Sequence, residues 1–299
     1  MSRSRFQAPS LPSAERPDAT SAAVGQTQSR RRDKAAGDIA HADFIAGLAK
    51  GLAVLESFDT ERQRLNATLA AERAGLTRAA ARRHLLTLAH LGYLESDGHY
   101  FWLSPKVLRF SGSYLSSARL PRVVQATLNR LAAQTGGSFS VGVLDGDESV
   151  IVARSANYGG GERAMLPYGL HLGARLPAHA TSTGRMMLAL LSRPELERWL
   201  QGPGPGNQRE LPRLTPNSIT DIRELRQSLD TARKQDYCQV SEEHELGVHA
   251  LAIPLRNMKG VALAALNIVS STQGRTPSQV RLEMLPAMLD AARELRGLL

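Results

Sequence analysis

The most constraining feature of the sequence is the stretch 66–103, in which two helical patterns are followed directly by a hairpin pattern. The first helical pattern begins near Asn66 and stops at Gly75, where a residue without Cβ can adopt the left-handed cap conformation. The second begins after Thr77, whose hydroxyl suits an N-cap. An Asp-Gly dipeptide at 97–98 then favours a tight hairpin turn. This order of elements predicts a winged helix-turn-helix.

The charge around the second helix favours DNA as its partner. Between Glu72 and Glu95 there is no acidic residue, and the whole chain carries a net charge of +9. The arginines in that gap are Arg73, Arg78, Arg82 and Arg83. A basic segment without acidic residues suits a surface that faces phosphate. A solvated basic helix of an unrelated bundle would carry similar charge, and the hairpin that follows directly is what favours the DNA interpretation.

Side chains near the start of the second helix are predicted to read double-stranded DNA in the major groove. Arg78 and Arg82 are one helical turn apart, so they share a face and either can fork onto a guanine. The predicted DNA-contacting residues are Thr77, Arg78, Ala80, Ala81, Arg82, Arg83 and His84 on the helix, with Gly98 and His99 at the wing tip.

Two helices of this region carry apolar faces in the sequence pattern. The helix that starts near Phe44 has Leu48, Leu52 and Leu55 on one face. The helix that follows Thr77 is expected to have an apolar stripe made of Ala79, Leu85, Leu88 and Leu91.

The chain divides into four segments. Residues 1–43 have few large apolar side chains and are predicted to be a disordered tail. Residues 44–104 form the winged helix-turn-helix domain, and residues 105–120 form a linker helix. In residues 121–299, strands interleaved with helices, including a strand near 164–166, indicate an α+β fold with an antiparallel sheet.

Several protein classes are excluded or disfavoured. The chain has no run of about 18 apolar residues and no apolar segment of a secretion signal at its start, so we expect a cytoplasmic protein without a membrane partner. The single cysteine, Cys238, cannot form an internal disulfide and is expected to be a small buried side chain. His244 and His249 are five residues apart, which puts strand side chains on opposite faces, so no metal site is predicted.

The sequence lacks the nucleophile elbow, the phosphate-binding loop and the zinc-protease motif. We therefore predict no enzymatic activity and no cofactor. Two alternatives remain open. One is a small-molecule-processing enzyme with a vestigial helix-turn-helix, and the other is a basic DNA-packaging protein without sequence preference.

The residues of the helix-turn-helix carry a family resemblance. The stretch Ala-Gly-Leu-Thr-Arg-Ala-Ala-Ala-Arg-Arg at 74–83, with Leu-Gly-Tyr-Leu at 91–94, closely resembles the DNA-binding domain of IclR-family transcription regulators. The branch it is most similar to controls aromatic-acid breakdown, the protocatechuate and 4-hydroxybenzoate regulators. Later segments agree, namely Thr-Ser-Thr-Gly-Arg at 181–185, Glu-Glu at 242–243, Ala-Ile-Pro-Leu at 252–255 and Ala-Ala-Leu-Asn-Ile at 264–268.

The resemblance covers about residues 44–299. It implies an N-terminal winged helix, a linker helix and a C-terminal GAF-like effector domain. It also implies a homo-oligomer, either a dimer or a dimer of dimers, on operator DNA. The aromatic-acid branch often has cysteine where this chain has Ala180, and His179 and Thr183 are also less usual there, so the identity of the effector stays open.

A helix that begins near Ser182 is a candidate anion site within the implied effector pocket, because its first amides and hydroxyls can bind a carboxylate. Ordinary N-capping is the alternative interpretation of the same residues. An apolar pocket with a few polar groups suits a small carboxylate, above all an aromatic acid. The predicted effector-binding residues are Thr181, Ser182, Thr183 and Gly184 at the helix start, Val240, Ala250, Asn267 and Val269 at positions implied by the family, and Arg154 as a further carboxylate partner.

Overall fold

The computed structural model describes residues 40, 42–59, 62–156, 171–202, 207–272 and 276–299. Most of the predicted tail and the predicted strand near 164–166 lie outside the described residues. The chain forms two compact units, with the boundary between Lys106 and Val107. None of the helices in the described part has the length and apolar character that a membrane span requires.

The first unit is the predicted winged helix-turn-helix. Its elements are α1 (Ala46–Glu56), α2 (Ala67–Arg73), α3 (Arg78–His90), β1 (Leu94–Ser96) and β2 (Phe101–Leu103). The side chain of Asn66 caps α2 by accepting hydrogen bonds from the amides of Thr68 and Leu69. β1 and β2 pair antiparallel, and the backbone of Leu65 adds a bridge to Phe101. The fold predicted for residues 66–103 is therefore confirmed.

The apolar faces of this unit differ in part from the sequence pattern. Ala81 and Leu85 of α3 are fully buried, whereas Ala79 is exposed and Leu91 is half exposed. On α1 the buried residue is Val54, and Leu48 is 61% exposed. The pattern identified both helices correctly. Leu85, Leu88 and Leu55 pack in the core as the pattern indicates, whereas the exposure of Ala79, Leu91, Leu48 and Leu52 shows that each predicted face is turned only in part towards it.

The linker is bent rather than continuous. A 3₁₀ turn at Pro105–Val107 leads into α4 (Leu108–Ser117), and α5 (Arg119–Thr135) follows after Ala118. Ala118 has an extended backbone, with φ −68° and ψ 128°, which separates the two helices. The sequence pattern had set the new helix at Pro121. The structure starts it two residues earlier, where proline fits within the first turn.

The second unit is built on a six-stranded antiparallel sheet in the order β5-β4-β3-β8-β7-β6. The strands are β3 (Ser138–Asp145), β4 (Glu148–Arg154), β5 (Arg175–Pro177), β6 (Cys238–Ser241), β7 (Val248–Arg256) and β8 (Ala262–Ser271). The remaining helices are α6 (Ser182–Ala189), α7 (Arg193–Leu200), α8 (Ile222–Gln235) and α9 (Pro277–Arg296). The mixed α+β class and the antiparallel sheet are confirmed.

Helices cover both faces of the sheet and divide its core. On one face, side chains of α5 and α9 pack with inward strand residues such as Phe139, Leu251 and Leu266. On the other face, α6, α7 and α8 pack against residues such as Ala252 and Ala265. Because strand side chains alternate, Asn267 of β8 faces the same side as Ala265, towards α6. Every residue of α6 is buried.

Candidate functional site

The exposed face of α3 carries three of the predicted DNA-contacting cations. Thr77 caps the helix, its Oγ1 accepting from the amide of Ala80 at 3.3 Å. Arg78, Arg82 and Arg83 are all exposed to solvent. α3 therefore presents a basic face that starts at its capped N-terminus.

Two predicted contacts on this helix are corrected by their surroundings. Ala81 is fully buried and packs in the core of the unit, so its side chain cannot touch DNA. His84 is half-buried beside Gly51 of α1, where an added Cβ would lie 3.6 Å from the histidine Nδ1. His84 thus faces α1 rather than the basic face. Ala80 is partly buried at the border between these two sides.

The wing turn is held by the side chain of Asp97. Its Oδ1 accepts from the amides of His99 and Tyr100, at 3.0 and 2.8 Å, and these bonds hold the pKa of Asp97 below its usual value. Gly98 has φ +95°, a conformation that glycine adopts without strain. Gly98 and His99 are exposed at the tip, as predicted.

Arg64 adds a cation to the wing that sequence patterns did not reveal. Its guanidinium pairs with Asp97 and lies 4.7 Å from the centre of the Trp102 ring. The side chain is 55% exposed, so the charge is accessible to a phosphate. Arg64 lies outside the helix-turn-helix pattern, and only the three-dimensional pairing with β1 and β2 places it here.

The start of the linker is fastened to the C-terminal end of α3. Lys106 Nζ donates to the carbonyl of Leu91 at 2.6 Å and lies 4.8 Å from the centre of the Tyr93 ring. Ser104 Oγ donates to the carbonyl of Gly92 at 2.6 Å. A cation at the last carbonyls of a helix is favourable because the helix dipole is negative there. The end of α3 and the first linker residues therefore form one hydrogen-bonded group.

In the second unit, a cavity of about 50 Å³ lies between the start of α6, the sheet and the segment that joins β6 to β7. Seven of the predicted effector-binding residues line it: Thr181, Ser182, Thr183, Val240, Ala250, Asn267 and Val269. The other residues that line it are Leu176, Ala180, Glu242, Glu243, His244, Glu245 and Val248. The structure thus gathers residues from four separate parts of the chain around one pocket.

Hydrogen bonds organise the polar end of this pocket. Ser182 Oγ donates to Asn267 Oδ1 at 2.8 Å, and Asn267 Nδ2 donates to Ser140 Oγ at 3.4 Å. These side chains are buried. Thr181 Oγ1 caps α6 by accepting from the amide of Gly184 at 3.2 Å. Of the three amides proposed for a ligand, only those of Ser182 and Thr183 remain candidate donors.

Gly184 and Arg154 do not line this cavity, so their predicted effector contacts stay predictions without support from it. A Cβ at Gly184 would lie 2.3 Å from the Cα of Ala178, which shows that glycine is needed there for close packing of α6. Arg154 lies in register with Ser140, which is itself paired with Asn267. Arg154 therefore lies on the same face of the sheet as Asn267, but β3 separates its strand, β4, from β8.

The segment between β6 and β7 supplies a wall that sequence reasoning missed. Glu242 and Glu243, which in the sequence stood out only as part of the family resemblance, both line the cavity. The partner of Glu243 is Arg185, a fully buried residue of α6. Arginine is almost never fully buried without a partner, and its position among the apolar residues of this helix is the signal that could have predicted the pair.

Burial governs several other polar side chains near the pocket. Burial lowers the pKa of His179, whose Nε2 lies 3.0 Å from the carbonyl oxygen of Pro212, and burial also lowers the pKa of His244. Cys238 is buried as expected, and its burial raises the thiol pKa to about 12. His249, interpreted as an exposed strand-end residue, is instead buried and bonded to Ser241. Among the described residues no group of three or more His, Cys, Asp or Glu side chains could hold a metal ion.

Comparisons with known proteins extend over both units. Residues 47–98 match the family model described as the IclR helix-turn-helix domain, and residues 112–296 match the model of the bacterial transcriptional regulator IclR C-terminal domain. The chain is 52% identical, over 87% of its length and 91% of the relative's, to the Pca operon regulatory protein of Acinetobacter baylyi. It is also 52% identical to the p-hydroxybenzoate hydroxylase transcriptional activator of that organism, over 86% and 92% of the two chains.

A solved structure resembles the second unit. It is a double mutant of the PobR transcription factor inducer-binding domain from Acinetobacter, in complex with 3-hydroxybenzoic acid. The sequence identity is 45% and the TM-score is 0.54, and the match covers 60% of this chain and 98% of the other.

Proposed function

The chain belongs to the IclR family of bacterial transcriptional regulators, and we propose that it reads its operator with the exposed arginines of α3 and binds a hydroxylated aromatic acid in the pocket beside α6. It is a ligand-responsive, DNA-binding regulator rather than an enzyme. We further propose that residues 44–104 act as the reading domain, 105–120 as the linker and 121–299 as the effector domain, in the cytoplasm.

The observation that carries the effector proposal is the pocket itself. Predicted polar groups from α6 and β8 meet apolar side chains from β6 and β7 around one cavity. Ser182 and Thr183 at the positive end of a helix suit a carboxylate, whereas Val240 and Val269 suit an aromatic ring. A double mutant of the 45% identical PobR domain is in complex with 3-hydroxybenzoic acid, which supports the same ligand class here.

Effector entry requires the pocket to widen. A cavity of roughly 150 Å³ accepts benzene in a protein core. The present cavity is about 50 Å³, which is too small for a benzoate. An aromatic acid therefore enters only if its walls move, and the hydrogen bond between Ser182 and Asn267 has to rearrange. This movement is what gives the effector different affinities for two conformations, as a ligand-controlled switch requires.

The DNA proposal rests on Arg78 and Arg82, which are exposed one turn apart beyond the capped start of α3. A base contact from either arginine contributes about 1–3 kcal/mol of discrimination between bases. The regulator acts as a homo-oligomer on double-stranded DNA, because an operator with two half-sites requires two DNA-binding domains.

A gel-shift titration with DNA from upstream of the chain's own gene, with and without 4-hydroxybenzoate or protocatechuate, tests the proposal. The wild type should bind this DNA more tightly than bulk DNA at physiological salt, and one of the acids should change the affinity. Arg82→Ala should lose operator binding yet still bind the acid in calorimetry.

Arg198→Ala is the matched control, since Arg198 is an exposed arginine on α7 of the other unit. It should bind both operator and acid like the wild type. Binding of the upstream DNA no tighter than bulk DNA would overturn the regulator proposal. Operator binding that no aromatic acid alters would overturn the effector proposal alone.

A further inference from the structure

A bidentate ion pair is buried directly behind the pocket. Arg185, in the second half-turn of α6, has an exposed side-chain fraction of 2%, and its partner Glu243 has 12%. Arg185 Nη1 donates to Glu243 Oε1 at 2.7 Å, and Nη2 donates to Oε2. Withdrawing two ions from water is costly, and only good geometry and further hydrogen bonds compensate for it. A pair this deeply buried is weak evidence for stability and calls for another role.

Further hydrogen bonds make the pair a junction of several segments. Arg185 Nε donates to the carbonyl of His179, and Nη1 lies 3.4 Å from Ser228 Oγ of α8. Glu243 Oε2 accepts from the amide of Ile219 at 3.2 Å. The Glu243 carboxylate therefore accepts three hydrogen bonds, two from Arg185 and one from the amide of Ile219. Because of these bonds it cannot rotate freely into the pocket.

The charge balance of the pocket depends on this pair. The walls include three carboxylates, Glu242, Glu243 and Glu245, and among the lining residues that the structure describes there is neither lysine nor arginine. His244 also lines the cavity, but burial lowers its pKa, so it supplies no cation at neutral pH. Without compensation, the nearest carboxylates would repel an anionic ligand.

We propose that Arg185 is a positioning residue for effector selectivity: by holding Glu243 and cancelling its charge from behind the wall, it lets the pocket accept a carboxylate in preference to an uncharged analogue. Arg185 does not touch the ligand, because Glu243 stands between its guanidinium and the cavity. The inference rests on the proposed function in one respect only, that the ligand is an aromatic acid.

The test is calorimetric titration of the full chain with 4-hydroxybenzoate and with its uncharged analogue 4-hydroxybenzamide. The quantity that decides is the ratio of the two affinities. Arg185→Gln leaves Glu243 charged and unpaired, so the acid-to-amide ratio should fall roughly tenfold or more. Glu243→Gln leaves the Arg185 cation unpaired behind the pocket wall, so the acid-to-amide ratio should rise. The double variant Arg185→Gln/Glu243→Gln is neutral at both positions and should return close to the wild-type ratio.

A purely structural role predicts a different result. Loss of packing would weaken acid and amide equally in every variant, and the ratio would stay constant, which overturns the inference. If circular dichroism shows that Arg185→Gln does not fold, the other two variants test the inference. Glu243→Gln should then raise the acid-to-amide ratio, and the double variant should have the wild-type ratio. Arg198→Gln, at an exposed arginine of α7 that does not line the pocket, is the control and should keep the wild-type ratio. A fall of the ratio in that variant as large as in Arg185→Gln also overturns the inference. A wild type that binds neither compound overturns the proposed function instead.

Discussion

Single residues at the start of α6 combine close packing with ligand chemistry. Gly184 lies against the backbone of Ala178, while its amide bonds to Thr181. Ser182, two residues earlier, bonds to Asn267 across the pocket. Glycine at the third position of α6 therefore lets the start of the helix pack on Ala178, next to the two residues that we propose as ligand contacts.

Replacing Gly184 with alanine should destabilise the second unit. The new Cβ would overlap the backbone of Ala178 at 2.3 Å, and a backbone cannot move aside as a flexible side chain can. We expect a loss of about 2–3 kcal/mol in the free energy of unfolding. Urea unfolding of the full chain, followed by circular dichroism, measures it.

Gly112→Ala provides the control for that substitution. Gly112 lies in α4, is exposed and has no atom within 4 Å of an added Cβ. Its replacement should leave stability unchanged or raise it by up to about 1 kcal/mol through helix propensity. Equal stability of the two variants would show that α6 does not pack on Ala178 as closely as described.

For single residues, the sequence predicted hydrogen-bonding roles better than the direction in which side chains point. The N-cap predicted at Thr77 is confirmed by its hydrogen bond with the amide of Ala80, whereas the effector contacts of Ser182 and Asn267 stay predictions. The burial of Ala81 and the packing role of Gly184 could not be predicted. A small side chain fits a ligand surface and a helix contact equally well, and only the neighbouring element distinguishes them.

Among the elements, α3 and the start of the linker behave as one hydrogen-bonded group. Lys106 and Ser104 bond to the last carbonyls of α3, at Leu91 and Gly92. We therefore propose that a change in the direction of the linker acts on the recognition helix through these two bonds. Coupling of this kind requires two arrangements that effector and operator favour unequally.

Lys106→Met should weaken that coupling while keeping the length of the side chain. The variant loses the bond to Leu91 and the contact with the Tyr93 ring. We expect the acid-induced change in operator affinity to shrink roughly fivefold, with unchanged affinity for the acid itself. Gel shifts with and without 4-hydroxybenzoate, together with calorimetry, measure the two quantities.

Lys259→Met, in the exposed turn between β7 and β8, is the control and should respond like the wild type. A Lys106→Met variant with a full response to the acid would contradict the transmission of linker movement through this contact.

Most elements were predictable because their boundaries carry chemical signals, such as Asn66 before α2 and Asp97-Gly98 between β1 and β2. β5 was not predicted. It is only three residues long, Arg175–Pro177, and depends on pairing with β4 rather than on any alternation of its own. The break at Ala118 was predicted two residues too late, before Pro121, because alanine gives no signal for a helix end.

At the scale of the whole molecule, the described part of the first unit exposes an apolar face. On α1 and just before it, Ile45, Leu48 and Leu52 are 68, 61 and 49% exposed, and they recur at intervals of three and four residues. We propose that the regulator acts as a homo-oligomer, and an exposed apolar stripe of this kind in the first unit is suited to contact with a second copy.

Leu48→Ser combined with Leu52→Ser should lower operator affinity roughly tenfold or more, because two half-sites would no longer be bound together. Sedimentation velocity should show a smaller average assembly, and affinity for the acid should not change. Met258→Ser is the control, a 70% exposed apolar residue in the turn between β7 and β8. If the double variant kept the operator affinity and the mass of the wild type, α1 would not be an oligomer contact.

The burial of Cys238 also makes the chain convenient for spectroscopy. It is the single cysteine of the sequence, and a thiol with a pKa raised to about 12 presents almost no thiolate to a maleimide reagent. A cysteine introduced at an exposed position, such as Ser113 of α4, would therefore take up a fluorophore or spin label alone in the otherwise natural sequence. Distances between labels on two copies could then follow the linker helices as operator and acid are added.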